Sequence, residues 1–244
     1  MRTGIYVDFD NIASNKLGTL IFSEVRRHYE GAGLVTQAHA YLAQHEERER
    51  MDTKYAGWRK AVRSGLDQGG FLQHVKTPKV YQDSAGELTT KANCDVELTV
   101  DVMLHCERLD RVVLMTGDGD FVRLVQALQD RGLWVEIAAA GGLSQDLARA
   151  ANSVINPALI PGALYSGEYT YKRVFRVVGS NIRDRTFTAE YLVGSPLSSS
   201  PTDKAWVREE RPATNEMWES KRFTPGKVIG WTGADGLSAY HELF

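Results

Sequence analysis

The chain has few cysteines, no long apolar run and no strong excess of charge of either sign. Its only cysteines are Cys94 and Cys106. On one helix they would lie about 18 Å apart, at about 1.5 Å of rise per residue, which is too far for a disulfide. No stretch reaches the roughly 18 apolar residues that a membrane helix needs, and acids at residues 8 and 10 interrupt the first apolar run, so we expect no signal peptide. These absences predict a reduced, cytoplasmic protein that binds no membrane.

The charge and the missing motifs also argue against several functional classes. The formal net charge of −2 excludes a uniformly basic protein, although a local basic patch stays possible. The six histidines show no His-x-x-x-His spacing and no cluster with cysteine, so we expect no zinc site. There is no Walker-type phosphate loop and no Gly-x-Ser-x-Gly turn. The chemistry must therefore be sought among the carboxylates.

The first two thirds of the chain alternate between two apolar patterns. Short apolar runs predict strands at residues 5–9, 35–42, 71–75, 112–115 and 133–138. Helical spacing predicts helices over residues 17–28, 46–69, 91–108, 121–128 and 143–151. Such alternation indicates βαβ units on a parallel sheet. In the helix predicted over 91–108, the expected apolar stripe consists of Val96, Val100, Met103 and Leu104.

The last third of the chain differs in character and holds more than half of the aromatic residues. Alternating patterns predict strands at residues 169–178, 187–193, 205–208 and 222–231. We therefore divide the chain into a first domain over residues 1–162 and a β-rich accessory domain over residues 163–244. The tryptophans of the accessory domain could stack on nucleic-acid bases, but such residues more often form the core of a small β domain. We expect this domain to serve in substrate selection or in forming a homo-oligomer.

Two predicted strands end in carboxylates. The apolar run at residues 112–115 is followed by Thr-Gly-Asp-Gly-Asp, which contains Asp118 and Asp120, and the first strand ends at Asp8. The carboxyl ends of parallel strands form the edge where open α/β sheets bind ligands. Together with Asp95 on a helix, these acids would repel one another without a cation. Hard oxygen ligands suit Mg²⁺ or Mn²⁺, which points to metal-assisted phosphodiester hydrolysis.

A simpler interpretation competes with a metal site. A single acid or asparagine after a strand is usually a helix N-cap or a turn residue. Asp10, Asn11 and Asp120 all fit that role. Two strand ends with the pattern Asp-x-Asp, together with an acid-bearing helix, favour the site.

Three separate segments resemble the signatures of NYN domains, which include the LabA-like proteins and lie within the PIN-like nuclease superfamily. The segments are Tyr-Val-Asp-Phe-Asp-Asn at residues 6–11, Lys-Ala-Asn-Cys-Asp-Val-Glu-Leu at the start of residues 91–101, and Thr-Gly-Asp-Gly-Asp-Phe at residues 116–121. The match covers roughly residues 3–160. The resemblance implies a PIN-like three-layer α/β/α sandwich with a central parallel sheet, and a Mg²⁺- or Mn²⁺-dependent ribonuclease acting on RNA, with single-stranded RNA as the expected substrate.

The resemblance also implies roles for individual acids. Asp8, Asp95 and Asp118 would be metal ligands, and Asp120 would be a further ligand or would orient the attacking water. Asp101 matches a later acid of the family's helix. Because it follows Asp95 by six residues, it lies about 120° away around the helix, so we prefer Asp95 as the ligand.

Supporting roles follow for three other residues of the motifs. Asn11 would hold Asp8 or a metal-bound water, and Lys91 would meet the scissile phosphate or pair with an acid. Thr116 is the first residue of the third motif, and we assign it a supporting role in the site. The chain has Gly119 where the family often carries serine, a mild departure that leaves the catalytic interpretation intact.

Two other functions compete with a ribonuclease. A phosphatase of the HAD-like class also has Asp-x-Asp after its first strand, but there the pair precedes Gly-Thr or Thr-Val, whereas Asn-Ile follows it here. The later phosphatase turn also spaces its second acid four residues on, at Val122, rather than at Asp120. The other alternative is a catalytically silent PIN-like scaffold that binds RNA or a protein.

Basic residues offer a possible RNA contact on the helix predicted over 46–69. They are interleaved with acids, which favours an ordinary solvated face over a phosphate-binding surface. The basic residues are Arg48, Arg50, Lys54, Arg59, Lys60 and Arg63.

Overall fold

The computed structural model describes residues 1–14, 20–82, 88–91, 94–164, 173–193, 205–213, 223–232 and 240–243, without the side chains of residues 79–91, 193 and 205. The chain forms two compact units, residues 1–156 and residues 157–244. Among the described helices, none is both long enough and apolar enough to span a membrane.

Unit 1 contains helices and strands in alternation. In chain order they are β1 (Arg2–Asp8), α1 (Phe9–Ile12), α2 (Phe22–Glu30), β2 (Leu34–Ala43), α3 (Glu46–Met51), α4 (Thr53–Gln68), β3 (Leu72–Lys76), β4 (Lys79–Gln82), β5 (Leu88–Lys91), α5 (Asp95–His105), β6 (Arg111–Met115), α6 (Val122–Gln129), β7 (Trp134–Ala138), α7 (Gln145–Ala150) and β8 (Ser153–Ile155).

Six of these strands form one sheet in the order β3-β2-β1-β6-β7-β8. Every neighbouring pair in it is parallel, which confirms the predicted parallel sheet. The chain runs outward from β1 to β3 and then returns to the other side of β1 to continue through β6. The direction of winding therefore reverses between β1 and β6, and such a switch point opens a crevice at the carboxyl ends of the two strands.

Helices cover both faces of the sheet. On one face, Leu98 and Val102 of α5 and Leu124 of α6 pack against apolar side chains of the strands. Glu136 of β7 points to the opposite face, where it accepts a hydrogen bond from Tyr29 of α2. Burying both faces of a parallel sheet in this way accounts for the uninterrupted apolar runs of its strands. The predicted three-layer α/β/α sandwich is confirmed.

The apolar stripe predicted on α5 is wrong. Val96 and Leu104 are each 71% exposed and Val100 is 49% exposed, while Leu98 and Val102 are buried. Met103 packs only partly against the core. The error arose because both sides of this helix carry apolar residues at helical spacing, so the pattern alone did not identify the buried side.

The start of α5 also differs from the prediction. The helix begins at Asp95, and Lys91 is the last residue of β5, which pairs antiparallel with β4. This hairpin was not predicted from the sequence. Cys94 and Cys106 flank the helix as buried, free thiols.

Two other predicted helices have different bounds. The helix predicted over 46–69 is divided into α3 and α4, because Asp52 adopts an extended conformation and caps α4 by accepting from the backbone N–H groups of Lys54 and Tyr55. The helix predicted over 17–28 begins later, as α2 at Phe22, because the backbone of Ile21 is extended. Residues 15–19 lie outside the described part of the chain.

Unit 2 contains an antiparallel sheet, as the prediction of a β-rich region required. Its strands are β9 (Arg173–Asn181), β10 (Thr186–Val193), β11 (Ala205–Pro212), β12 (Val228–Trp231) and β13 (Tyr240–Glu242), in the order β11-β10-β9-β12-β13. Phe175, Phe187 and Phe223 form the centre of its core. Trp231 packs against this core, Trp206 is 44% exposed, and Trp218 lies outside the described residues.

Candidate metal centre

Thr116 joins the carboxyl ends of β1 and β6. Its hydroxyl donates a hydrogen bond to Asp8 Oδ2 at 2.9 Å and accepts one from the backbone N–H of Asp118 at 3.2 Å. The residue is fully buried. Both functions of the hydroxyl are thus used to fix the position of Asp8 relative to the turn that carries Asp118.

Asn11 provides a second link across the same strand ends. Its side-chain Oδ1 accepts from the backbone N–H of Gly117 at 2.9 Å, and its own N–H donates to Asp8 Oδ1 at 3.4 Å. A Cβ on Gly117 would lie 2.8 Å from the carbonyl oxygen of Gly142, so only glycine fits there. Asn11 therefore orients the turn through its side chain and Asp8 through its backbone.

Three acids converge at this edge. Asp95, Asp118 and Asp120 each offer a carboxylate oxygen, and these oxygens all lie within 4.8 Å of one another. Asp118 also caps the turn at Gly119–Phe121, where its Oδ1 accepts from the backbone N–H of Asp120 at 3.0 Å. The cap of this turn is thus Asp118 and not Asp120, for which a cap role was considered from the sequence, and the same side chain also belongs to the acid cluster.

Asp8 lies beside this acid cluster, at the end of β1, and is not one of its three members. The pKa of its carboxyl is raised to about 6, mainly by burial and in addition by the charges of Asp95 and Asp10. The hydrogen bonds from Thr116 and from the backbone of Asn11 act in the opposite direction. Converging carboxylates with one raised pKa are the electrostatic environment that a divalent cation relieves.

Asp10 has a different role. Its Oδ2 accepts from the backbone N–H of Ala43 at 2.6 Å, and its Oδ1 pairs with Arg59 at 3.1 Å. The Arg59 side chain is only 1% exposed and also donates to the carbonyl oxygen of Ala43. Asp10 therefore fastens the ends of β1 and β2 to α4, and Arg59 is a buried structural residue that the sequence had suggested to be on a solvated face.

Asp101 points away from the acid cluster. Its Oδ2 accepts from the hydroxyl of Tyr41 at 2.8 Å and lies 3.7 Å from His74 Nδ1. This placement agrees with the angle around the helix that separates it from Asp95. The side chain of Lys91, for which a phosphate contact was predicted, lies outside the described residues.

Three of the six basic residues predicted on this surface, Arg50, Arg59 and Arg63, form ion pairs within the protein. Arg63 pairs with Glu49 at 3.1 Å, and Arg50 lies 3.9 Å from Glu46. Their charges are thereby partly balanced, which favours the ordinary solvated face over a phosphate-binding surface.

An α/β/α sandwich with acids at the carboxyl ends of two adjacent parallel strands is the arrangement of PIN-like nuclease domains. Comparison with known families gives the assignment directly: the NYN domain matches residues 2–160. The chain belongs to the NYN domain family, a family of PIN-like nucleases.

Two individual proteins are similar to parts of this chain at low sequence identity. The chain is similar to the low amplitude and bright protein LabA of Synechococcus elongatus, with 27% identity over 86 residues. That match covers 34% of this chain and 46% of LabA, so less than half of the relative is represented. The crystal structure of a protein of unknown function, VPA0982 from Vibrio parahaemolyticus, matches 63% of this chain and 91% of its own at 24% identity, with a TM-score of 0.49.

Proposed function

We propose that this protein is a ribonuclease that hydrolyses RNA phosphodiester bonds with Mg²⁺ or Mn²⁺ bound at the acid cluster. The observation that carries the proposal is the convergence of Asp95, Asp118 and Asp120 at the switch point between β1 and β6. An all-oxygen donor set suits these hard cations. Membership in a family of PIN-like nucleases supports the same substrate class.

The residues of the site have distinct roles in this proposal. Asp8, Asp95 and Asp118 hold the cation, which when bound polarises a phosphoryl oxygen and neutralises developing negative charge. Asp120 is the most exposed of the acids, so it is the side chain best placed to orient the attacking water and take its proton. Thr116 and Asn11 contact no substrate and keep the ligands in position. We further propose single-stranded RNA as the substrate, because an extended strand can reach an acid cluster at the edge of a sheet.

One contact argues against the alternative phosphatase. That mechanism needs the second acid of Asp-x-Asp as a proton donor facing the substrate. Here both oxygens of Asp10 are engaged by Arg59 and the backbone of Ala43. With both oxygens held by groups of the protein, the Asp10 carboxyl does not face a substrate as that mechanism requires.

The decisive experiment incubates the full chain with labelled single-stranded RNA, single-stranded DNA and p-nitrophenyl phosphate, each in Mg²⁺, Mn²⁺ or EDTA. We expect metal-dependent cleavage of RNA and none of the phosphate ester. Asp118→Asn should reduce cleavage by more than about 100-fold, since the loss of mere partners of metal ligands already costs 10–100-fold. Thr116→Val, which removes such a partner, should fall in that lower range.

The matched control is Asp130→Asn, an exposed acid at the carboxyl end of α6. It should cleave as the wild type does, and an identical purification excludes a contaminating nuclease if Asp118→Asn is inactive. Cleavage of p-nitrophenyl phosphate would identify a phosphatase instead. Binding of RNA without cleavage in any metal would identify the silent scaffold.

A further inference from the structure

Three of the six histidines gather on the sheet face that α5 covers. His39 lies on β2, His74 on β3 and His105 at the end of α5. The His39 ring centroid lies 5.2 Å from that of His74 and 4.9 Å from that of His105. The pairing of β2 with β3 brings His39 and His74 together across 35 positions of the sequence, so their spacing along the chain could not reveal the cluster.

The hydrogen bonds of His39 fix where its lone pair points. Its Nε2 lies 2.8 Å from Gln37 Oε1, an oxygen that can only accept, so Nε2 carries the proton. Its Nδ1 therefore has a free lone pair, which faces His74 Nε2 at 3.0 Å.

Asp101 brings a negative charge to the same place. Its Oδ2 lies 3.7 Å from His74 Nδ1, which is too long for a hydrogen bond. With His74 Nε2 donating to His39, the lone pair of His74 Nδ1 faces the carboxylate of Asp101. A metal ion among these groups stabilises the arrangement.

We propose that His39, His74 and Asp101 form a second metal site, one that takes Zn²⁺. A ligand atom from each of the three lies within 4.8 Å of the others. Two imidazoles and a carboxylate are a donor set for zinc and similar transition ions, whereas the acid cluster offers oxygen alone. The site is independent of the proposed ribonuclease activity, because none of its ligands belongs to that cluster.

The surroundings supply what a zinc site requires beyond its ligands. Ligating histidines usually donate their second N–H to an oxygen, and ligating carboxylates accept a further hydrogen bond. Gln37 provides the first of these contacts and the Tyr41 hydroxyl provides the second, at 2.8 Å. A groove of about 620 Å³, lined by Tyr41, His74 and Asp101 among others, gives an ion and a coordinating water access from solvent.

The test measures zinc retained by the full chain after dialysis against buffer with excess Mg²⁺, which occupies the acid cluster. We expect one Zn²⁺ per chain in the wild type and in Asp118→Asn. His74→Gln and Asp101→Asn should bind zinc more than about 100-fold more weakly, and Tyr41→Phe about 10–100-fold more weakly. Replacement by Co²⁺ should give the visible spectrum of nitrogen coordination, which His74→Gln should abolish.

His28→Gln is the matched control, because α2 covers the opposite face of the sheet. It should retain zinc like the wild type. Circular dichroism shows whether each variant is folded, and His74, which is one third exposed, offers the ligand whose replacement perturbs the core least. The proposal is overturned if the wild type retains no zinc, or if zinc is lost in Asp118→Asn and kept in His74→Gln.

Discussion

At the scale of single residues, Asp8 is subject to two opposing effects in the proposed site. Binding a cation would require its carboxylate to be ionised, yet burial makes the ionised form unfavourable and is the main cause of its raised pKa of about 6. In the unfolded chain the same group has its ordinary pKa of about 3.9. The metal-free native protein therefore binds more protons than the unfolded chain between these values, so its stability falls as pH rises through them.

Asp8→Asn removes this penalty. In EDTA above pH 7 we expect the variant to be more stable than the wild type, by up to about 3 kcal/mol at about 1.36 kcal/mol per pKa unit. The advantage should shrink as pH falls toward 4, where Asp8 is protonated in the native state and about half protonated in the unfolded chain. Urea unfolding at pH 4.5, 5.5 and 7.5 measures the difference, and a difference that is constant with pH would contradict the raised pKa.

Replacing Arg59, which lies outside the acid cluster, should strongly lower the free energy of unfolding. Arg59→Met would leave Asp10 and the carbonyl oxygen of Ala43 without their buried partner. Removing one member of a buried ion pair costs about 3–5 kcal/mol, and we expect the lower end because Asp10 is 38% exposed.

The matched variant is Arg63→Met, one turn further along α4, which removes a pair with Glu49 whose arginine is 30% exposed, against 1% for Arg59. It should cost less than about 1 kcal/mol. Equal losses of stability in the two variants would show that the buried contacts of Arg59 contribute no more than a partly exposed ion pair does.

At the scale of elements, α5 has two apolar sides of which only one is buried. Leu98→Ala should lower the free energy of unfolding by about 2–5 kcal/mol, as expected for a truncated core leucine. Val100→Ala, on the exposed side of the same helix, should change it by no more than about 0.5 kcal/mol. Denaturant unfolding of the two variants tests the orientation of the helix. A larger loss of stability in Val100→Ala than in Leu98→Ala would contradict this orientation and favour the stripe predicted from the sequence.

The elements also show what the sequence could predict. The apolar runs of β1 and β6 determine two buried parallel strands, and their ends bring Asp8 and Asp118 to one edge, as predicted. The orientation of α5 was not predictable, because Val96 and Val100 follow the same spacing as Leu98 and Val102. The proximity of His39 and His74 depends on which strands pair, and no local pattern encodes that.

At the scale of the whole molecule, cation binding should raise the thermal stability of unit 1. A ligand at 100 times its Kd contributes about 2.7 kcal/mol, which at about 2–4 °C per kcal/mol is a rise of roughly 5–11 °C in Tm. Thermal unfolding with Mg²⁺ and with EDTA measures this rise. Asp95→Asn should abolish it and Asp101→Asn should retain it, so a loss in both variants would contradict the separation of these two acids.

The hydrogen bond between Asp8 and Thr116 joins residues 108 positions apart, and this distance has a consequence for the order of synthesis. A ribosome adding about 5–20 residues per second exposes Asp118 roughly 5–20 s after Asp8. Until then the nascent chain has Asp8 and lacks the turn that completes the acid cluster. Under the proposed function, the ribonuclease would therefore be silent while its first half is translated, at the time when the nearest RNA is its own message.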